Sequence, residues 1–375
     1  MKTYGIDASA LLKDRPTGVE NYVRRLLLAM MKQPLIGGEH VILYAAKPKP
    51  EELEIPSGWS WKELPFFLPK GWTHLRLSVE LTLHPPTVFF SPAHEIPFFP
   101  GSASVVSTVH DVAFRRFPES YDAKGRARQE LSIKRVKRLA KRVLAVSETT
   151  KQDLVSLFSF DPNRVIVTPL APSFSHKPTV EEVSSVEQKY RLTGGQYLLF
   201  VSRVEEKKNV RTLLKAFLLL KEKLGVGHPL KLVFAGSPGY GFRELKEMAD
   251  ASIFKDDVLF LGYVPDTDVP PLMSGARAFV FPSLWEGFGL PVLEAMVAGT
   301  AVIASDIPVF REIAHDAALL VPSSSTEGFR NAFERILFDE AYRQELIAKG
   351  EERARHFTWE TTAEKTWEAL RGASL

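Results

Sequence analysis

Cysteine is absent from this chain of 375 residues, which excludes disulfides and thiolate metal sites and fits a reducing compartment. No apolar run approaches the roughly 18 residues of a membrane span. The N-terminus, Met-Lys-Thr-Tyr-Gly-Ile-Asp, lacks the apolar segment of a secretory signal. Also missing is a Gly-x-Gly-x-x-Gly after the first apolar strand. Neither Gly5-Ile-Asp7 nor Thr17-Gly18 supplies one, which disfavours a dinucleotide-dependent dehydrogenase. Net charge is small at +3, but it is unevenly spread: residues 1–175 hold 24 Lys+Arg against 17 Asp+Glu, and the remainder 24 against 28. The N-terminal half is the basic one.

What is present is an alternation. With 45% apolar and 25% charged residues the chain reads as a soluble globular protein, and its length exceeds one ordinary core. Short β-branched or apolar runs predict strands at 3–6, 40–44, 87–90, 104–109, 143–146 and 165–168. A second series is predicted at 197–201, 231–235, 258–261, 278–281, 301–304 and 318–321. Amphipathic segments between them, such as 19–32, 72–83, 124–141, 148–157, 210–223, 243–252, 292–298 and 326–337, predict helices. Strand–helix alternation argues for parallel sheets covered by helices. Seeing it twice argues for two doubly wound domains, with the boundary at the proline-rich Pro169-Leu-Ala-Pro-Ser-Phe-Ser-His-Lys-Pro178.

Chemistry concentrates where strands end. Glu286-Gly-Phe-Gly-Leu-Pro-Val-Leu-Glu294 follows the strand Ala278-Phe-Val-Phe and places Pro291 at a helix start. Backbone N–H groups at such a start attract phosphate, and Glu294, one turn in, can accept hydrogen bonds from sugar hydroxyls. The same acids could equally do no more than favour the helix dipole. A second cluster, Phe200-Val-Ser-Arg203-Val-Glu-Glu-Lys-Lys208-Asn209, ends another strand. There Arg203 and Lys208 would meet a diphosphate with a guanidinium and an ammonium, and Asn209 would cap the next helix. Lys207 reads as solvated surface charge. Gly236 and Gly239 in Ala235-Gly-Ser-Pro-Gly-Tyr-Gly241 allow tight turns near a ligand.

Together these segments resemble the retaining glycosyltransferases of family 4 (GT4), along almost the whole chain. The match takes in Pro16-Thr-Gly18-Val-Glu-Asn21, Thr108-Val-His110-Asp111-Val, Val143-Leu-Ala-Val-Ser147-Glu-Thr-Thr-Lys151-Gln-Asp153-Leu, Arg203 with Lys208, Glu286 with Glu294, and Phe357-Thr-Trp359-Glu. The resemblance implies the GT-B fold, two Rossmann-like domains facing across a ligand cleft. It divides the chain into an acceptor-binding domain (1–172), a donor-binding domain (173–356) and a C-terminal helix (357–375) that packs back on the first. It further implies that Arg203 and Lys208 hold the donor diphosphate in place of a metal ion, so that neither metal nor cofactor is required. Glu294 would bind the ribose hydroxyls. Glu286 and the backbone of Gly287, Phe288, Gly289 and Leu290 would contact the transferred sugar and phosphates. Gly18 would let its loop approach the diphosphate, and His110 would hydrogen-bond the donor sugar and stabilise the oxocarbenium-like state. Asp111 either orients that imidazole or begins a turn.

Thr-Val-His-Asp followed by Arg116-Phe-Pro-Glu-Ser-Tyr is most similar to mannosyltransferases of bacterial surface polysaccharides, making GDP-mannose the first donor to expect. The acceptor expected is a glycan or a lipid-linked glycan. A nucleotide-sugar epimerase on the same fold, or a non-catalytic nucleotide-sugar-binding protein, are the alternatives. Lys124 to Arg142 carries nine Lys+Arg and one acid, Glu130. Leu131, Val136, Leu139 and Val143 recur there at near-helical spacing. Such a helix either packs its apolar stripe on the sheet or lies on an anionic membrane, for which Phe66-Phe67-Leu68-Pro69-Lys-Gly-Trp72 offers apolar company. Nucleic acid is not an expected partner, because no recognition fold accompanies the charge. The expected location is the cytoplasm, with contact to the inner face of the membrane as the added option.

Overall fold

The computed structural model describes residues 2–13, 18–68, 71–118 and 121–374. Pro16, Thr17, Pro69, Lys70, Glu119 and Ser120, all in segments quoted above, lie outside them. The chain forms two units, one from residues 1–171 with 358–375 and the other from residues 172–357.

The first unit holds seven strands: β1 (Thr3–Asp7), β2 (His40–Ala45), β3 (Trp59–Glu63), β4 (Val88–Ser91), β5 (Ser104–Val109), β6 (Ala140–Ala145) and β7 (Val165–Val167). Their order is β3-β2-β1-β4-β5-β6-β7, and every pairing is parallel. A parallel sheet covered on both faces needs apolar residues on both, and Val88, Phe89 and Phe90 are fully buried in sequence. The winding reverses between β1 and β4. In open α/β sheets, that switch point beyond the carboxyl ends is where ligands bind.

Capping residues set the helix starts: Asp122 accepts from Gly125 N at 2.8 Å to open Ala123–Leu139, and Ser147 accepts from Thr150 N at 2.9 Å to open Glu148–Phe158. The final helix, Trp359–Ala373, completes this unit. Its Trp367 is buried edge-on against Tyr4 and Trp59, with ring centroids 5.4 and 6.0 Å apart. Its Arg371 holds Glu39 at 3.0 Å.

The second unit holds β8 (Tyr197–Val201), β9 (Lys231–Ala235), β10 (Val258–Gly262), β11 (Ala278–Phe281), β12 (Val302–Ser305) and β13 (Leu319–Val321). They run parallel in the order β10-β9-β8-β11-β12-β13. Here the switch point lies between β8 and β11. Phe200 at the core contacts Phe234 and Phe281, with centroids 5.7 and 6.0 Å apart. Each unit is thus a doubly wound Rossmann-like sheet.

Three local readings change. β3, Trp-Ser-Trp-Lys-Glu, was not expected; as an edge strand it buries only Trp59, so its polar residues carry no strand signal. The basic helix ends at Leu139, because Ala140-Lys-Arg begins strand β6, paired on both sides, which also claims Val143. Its buried stripe is Ile133 and Val136, while Leu131 is 68% exposed. Among the described residues no helix is long and apolar enough to cross a membrane.

Candidate functional site

In the second unit the loops after β8 and β11 are stitched together. Leu284 N donates to Lys207 O at 3.1 Å, and Val204 N to Ser237 O at 3.0 Å ties in the loop after β9. The stitching brings Lys208 and Glu286 into an ion pair between Lys208 Nζ and Glu286 Oε1. Ser283 Oγ donates to the same carboxylate oxygen at 2.6 Å, and the Phe281 ring lies 5.1 Å from the ammonium. The two side chains are only 12% and 16% exposed, so this pair is less screened than an ordinary surface one. An ammonium has three donors, so pairing with Glu286 leaves capacity for an anion. Arg203 is exposed, and no hydrogen bond or ion pair reaches it among the described residues. The pair stands at the switch point, in the loops that follow β8 and β11.

Glycine-rich turns shape the rest of this rim. Gly289 has φ +98° and immediately precedes the helix Leu290–Val297, which starts without a side-chain cap. The helix begins at Leu290, one residue before the proline expected there. Glu294, one turn in, accepts from Ser173 N at 3.3 Å. Phe288 is buried against Phe357, so only its backbone can meet a ligand. Gly236 has a packing reason to be glycine, since a Cβ there would lie 1.9 Å from Ser202 O. Asn209 does not cap by its side chain. It takes a left-handed conformation at φ 56°, donates to Ser323 O at 2.7 Å and accepts from Thr212 Oγ1 at 2.7 Å.

One Asp-x-Asp spacing, Asp266-Thr-Asp268, has to be set beside the expectation of a metal-free site. Asp268 is already engaged by Lys189 Nζ at 2.5 Å and Tyr190 OH at 2.7 Å, and hydrogen bonding to these groups holds its carboxyl below the usual range despite partial burial.

In the first unit His110 follows β5. Its Nε2 lies 3.0 Å from Pro92 O and its ring stands edge-on to Tyr22 at 4.7 Å. A carbonyl only accepts, so Nε2 carries the proton and Nδ1 is the acceptor. Burial pulls the imidazole down to about 4, which makes it neutral at physiological pH. Asp111 begins a turn: its Oδ1 accepts from Ala113 N at 3.0 Å, and no hydrogen bond joins it to His110 among the described residues. At Gly18, first residue of the helix Gly18–Met31, a Cβ would meet nothing within 4 Å. No packing contact explains that glycine.

Several neighbours were not expected. Tyr22, fully buried and bonded to Thr108 Oγ1 at 3.1 Å, supports the His110 ring. In the sequence it is one more apolar position of a helix. Asp7, at the end of β1, is buried with its carboxyl pushed up by desolvation, and accepts from Ser9 N at 2.9 Å. Ser283, three residues before Glu286, carries no motif that separates it from a loop serine.

Comparison with known proteins bears on the family and the fold. The family described as Glycosyl transferases group 1 matches residues 185–353, and that described as Glycosyltransferase Family 4 matches residues 16–171. O-antigen chain mannosyltransferase B of Escherichia coli is 34% identical over 268 residues, 71% of this chain and 70% of that protein. O-antigen chain mannosyltransferase RfbU of Salmonella typhimurium is 29% identical over 231 residues, 61% and 60% of the two chains. The serotype-specific mannosyltransferase WbdA of Escherichia coli is 29% identical, but this chain spans only 27% of it. Among solved structures, sucrose-phosphate synthase from Thermosynechococcus elongatus superposes with a TM-score of 0.75 at 19% identity, covering 99% of both chains. WaaG, a glycosyltransferase involved in lipopolysaccharide biosynthesis, superposes at 0.73 with 16% identity, covering 99% of this chain and 100% of that one. Both structural likenesses establish the GT-B fold.

Proposed function

This chain belongs to the family 4 glycosyltransferases, and we propose that it moves mannose from GDP-mannose to a glycan or lipid-linked glycan, with retention at the anomeric carbon and no metal ion in the transfer. The observation that carries this reading is the Lys208–Glu286 pair at the switch point of the second unit, with exposed Arg203 in the same loop as Lys208. The mannosyltransferase of Escherichia coli, which this chain resembles over 71% of its length, supports the sugar.

In the proposed step the bond from the sugar's anomeric carbon to the donor phosphate oxygen breaks, and its electron pair leaves with the diphosphate. The acceptor hydroxyl attacks the same face and passes its proton to that departing phosphate. Lys208 and Arg203 would stabilise the growing negative charge, help that counts because it falls where charge develops. Glu286, turned toward Lys208 and held by Ser283, would accept hydrogen bonds from the sugar's hydroxyls. Glu294, one turn into the helix that starts at Leu290, would take the ribose hydroxyls. Neutral His110 would accept from a sugar hydroxyl through Nδ1. The first unit would receive the acceptor, and its basic helix would let it meet a lipid-linked one at a membrane surface.

Binding measurements against GDP-, UDP- and ADP-sugars test the donor. The expected outcome is preference for GDP-mannose, and a loss of affinity of about tenfold in Glu294→Ala with unfolding unchanged. An unaltered affinity in that variant would remove Glu294 from the ribose.

A further inference from the structure

Two cavities of about 520 Å³ each open side by side on the first unit, sharing His74 and Phe98 in their walls. The first is apolar, with Phe66, Phe67, Val79, Leu83 and Phe99 around it. Phe67, Leu83 and Phe99 are 90%, 67% and 70% exposed. Scattered exposed apolar residues need no explanation, but a contiguous set around a hollow marks a binding surface.

The second cavity is basic, lined by Arg128, Lys134, Arg135 and Arg138 against one acid, Glu95. Lys134 is occupied by Glu130 at 3.1 Å, whereas no ion pair reaches Arg128 or Arg138 among the described residues. Arg135 stands at the join. Its guanidinium carbon lies 4.5 Å from the Phe98 ring centroid, and one terminal nitrogen donates to Pro97 O at 2.7 Å. Its Nε is buried without a partner. His74 stacks on the same ring, with centroids 4.8 Å apart. Stacking fixes the shared wall in place before any ligand arrives, which lowers the ordering cost of binding.

We propose that the adjoining cavities form one site for a lipid phosphate, its apolar chain in the first and its phosphate against the arginines of the second. Charge and shape together select this occupant. A soluble phosphosugar would leave the apolar hollow uncovered, and a neutral lipid would leave three unpaired cationic charges facing nothing. A phosphate meets them with charge-assisted, two-pronged hydrogen bonds. The inference deepens the function proposed above and rests on it, because a lipid-linked acceptor carries both chemical parts at once.

The test titrates the full-length protein with farnesyl phosphate, farnesol and inorganic phosphate below any micellar concentration, by calorimetry, with donor hydrolysis measured in parallel. Farnesyl phosphate should bind saturably at one equivalent, about tenfold or more tighter than either control. Arg138→Glu and Val79→Glu, both at exposed positions, should each weaken it by about tenfold and leave donor hydrolysis unchanged. Equal binding of farnesol or of inorganic phosphate, or binding indifferent to both variants, overturns the site. Tight farnesyl phosphate binding in a protein that hydrolyses no nucleotide sugar supports the site and removes the transferase reading instead.

Discussion

Lys208 does two jobs that can be separated. It neutralises Glu286 in the resting protein, and in the proposed reaction it stabilises the leaving diphosphate. Lys208→Ala should therefore lower kcat by about 10²-fold or more, and should cost about 1–3 kcal/mol by leaving a half-buried carboxylate unpaired. Adding Glu286→Gln should restore stability in urea unfolding and leave kcat low. Recovery of kcat in the double variant would make Lys208 a structural residue only. His110 carries a second consequence. Its imidazole sits near 4 against an ordinary 6.5, and His94 is lowered by burial as well. The unfolded chain thus binds more protons than the fold between about pH 6.5 and 4. Stability is complete above that window and falls as the pH drops through it, by up to about 3 kcal/mol for His110. His110→Gln should flatten part of the fall in urea midpoints between pH 7 and 5. An unchanged slope contradicts a neutral, desolvated ring.

Among the elements, two glycines at loop and helix starts behave oppositely. Gly236→Ala drives a Cβ into Ser202 O at a φ of +149° and should destabilise the second unit by about 2–4 kcal/mol. Gly18→Ala meets no atom and should leave the unfolding midpoint in place, while lowering donor affinity if the loop approaches the diphosphate. A midpoint drop at Gly18 comparable to that at Gly236 contradicts this contrast. Legibility followed the same division. Strands were readable, because buried parallel strands are apolar runs, and Arg203, Lys208, Glu286 and Glu294 fall in the segments that follow two of them. β3 was not, since an edge strand with one buried residue has no periodicity to show. Nor was the end of the basic helix, where Ala140-Lys-Arg suits a helix locally and the pairing with β5 decides otherwise. Asp111 was ambiguous by composition, and a single hydrogen bond to Ala113 N assigns it to a turn.

At the scale of the whole molecule, the two units repeat one plan: a first strand inside the sheet and a reversal of winding beside it. That plan was legible because strand–helix alternation is written twice in the chain. The contribution of residues 358–375 to the first unit was suggested by resemblance alone, and its physical basis, Trp367 seated between Tyr4 and Trp59, rests on contacts across more than 300 positions that no local pattern encodes. The basic excess of the first half likewise acquires a place, around a cavity next to exposed aromatics. The reaction proposed for this molecule is retention without a metal. The most direct test is proton NMR of the product formed from GDP-α-mannose and a mannoside acceptor in excess EDTA. An α-linked product at an undiminished rate is the predicted result; a β-linked product, or turnover that only added magnesium restores, would contradict it.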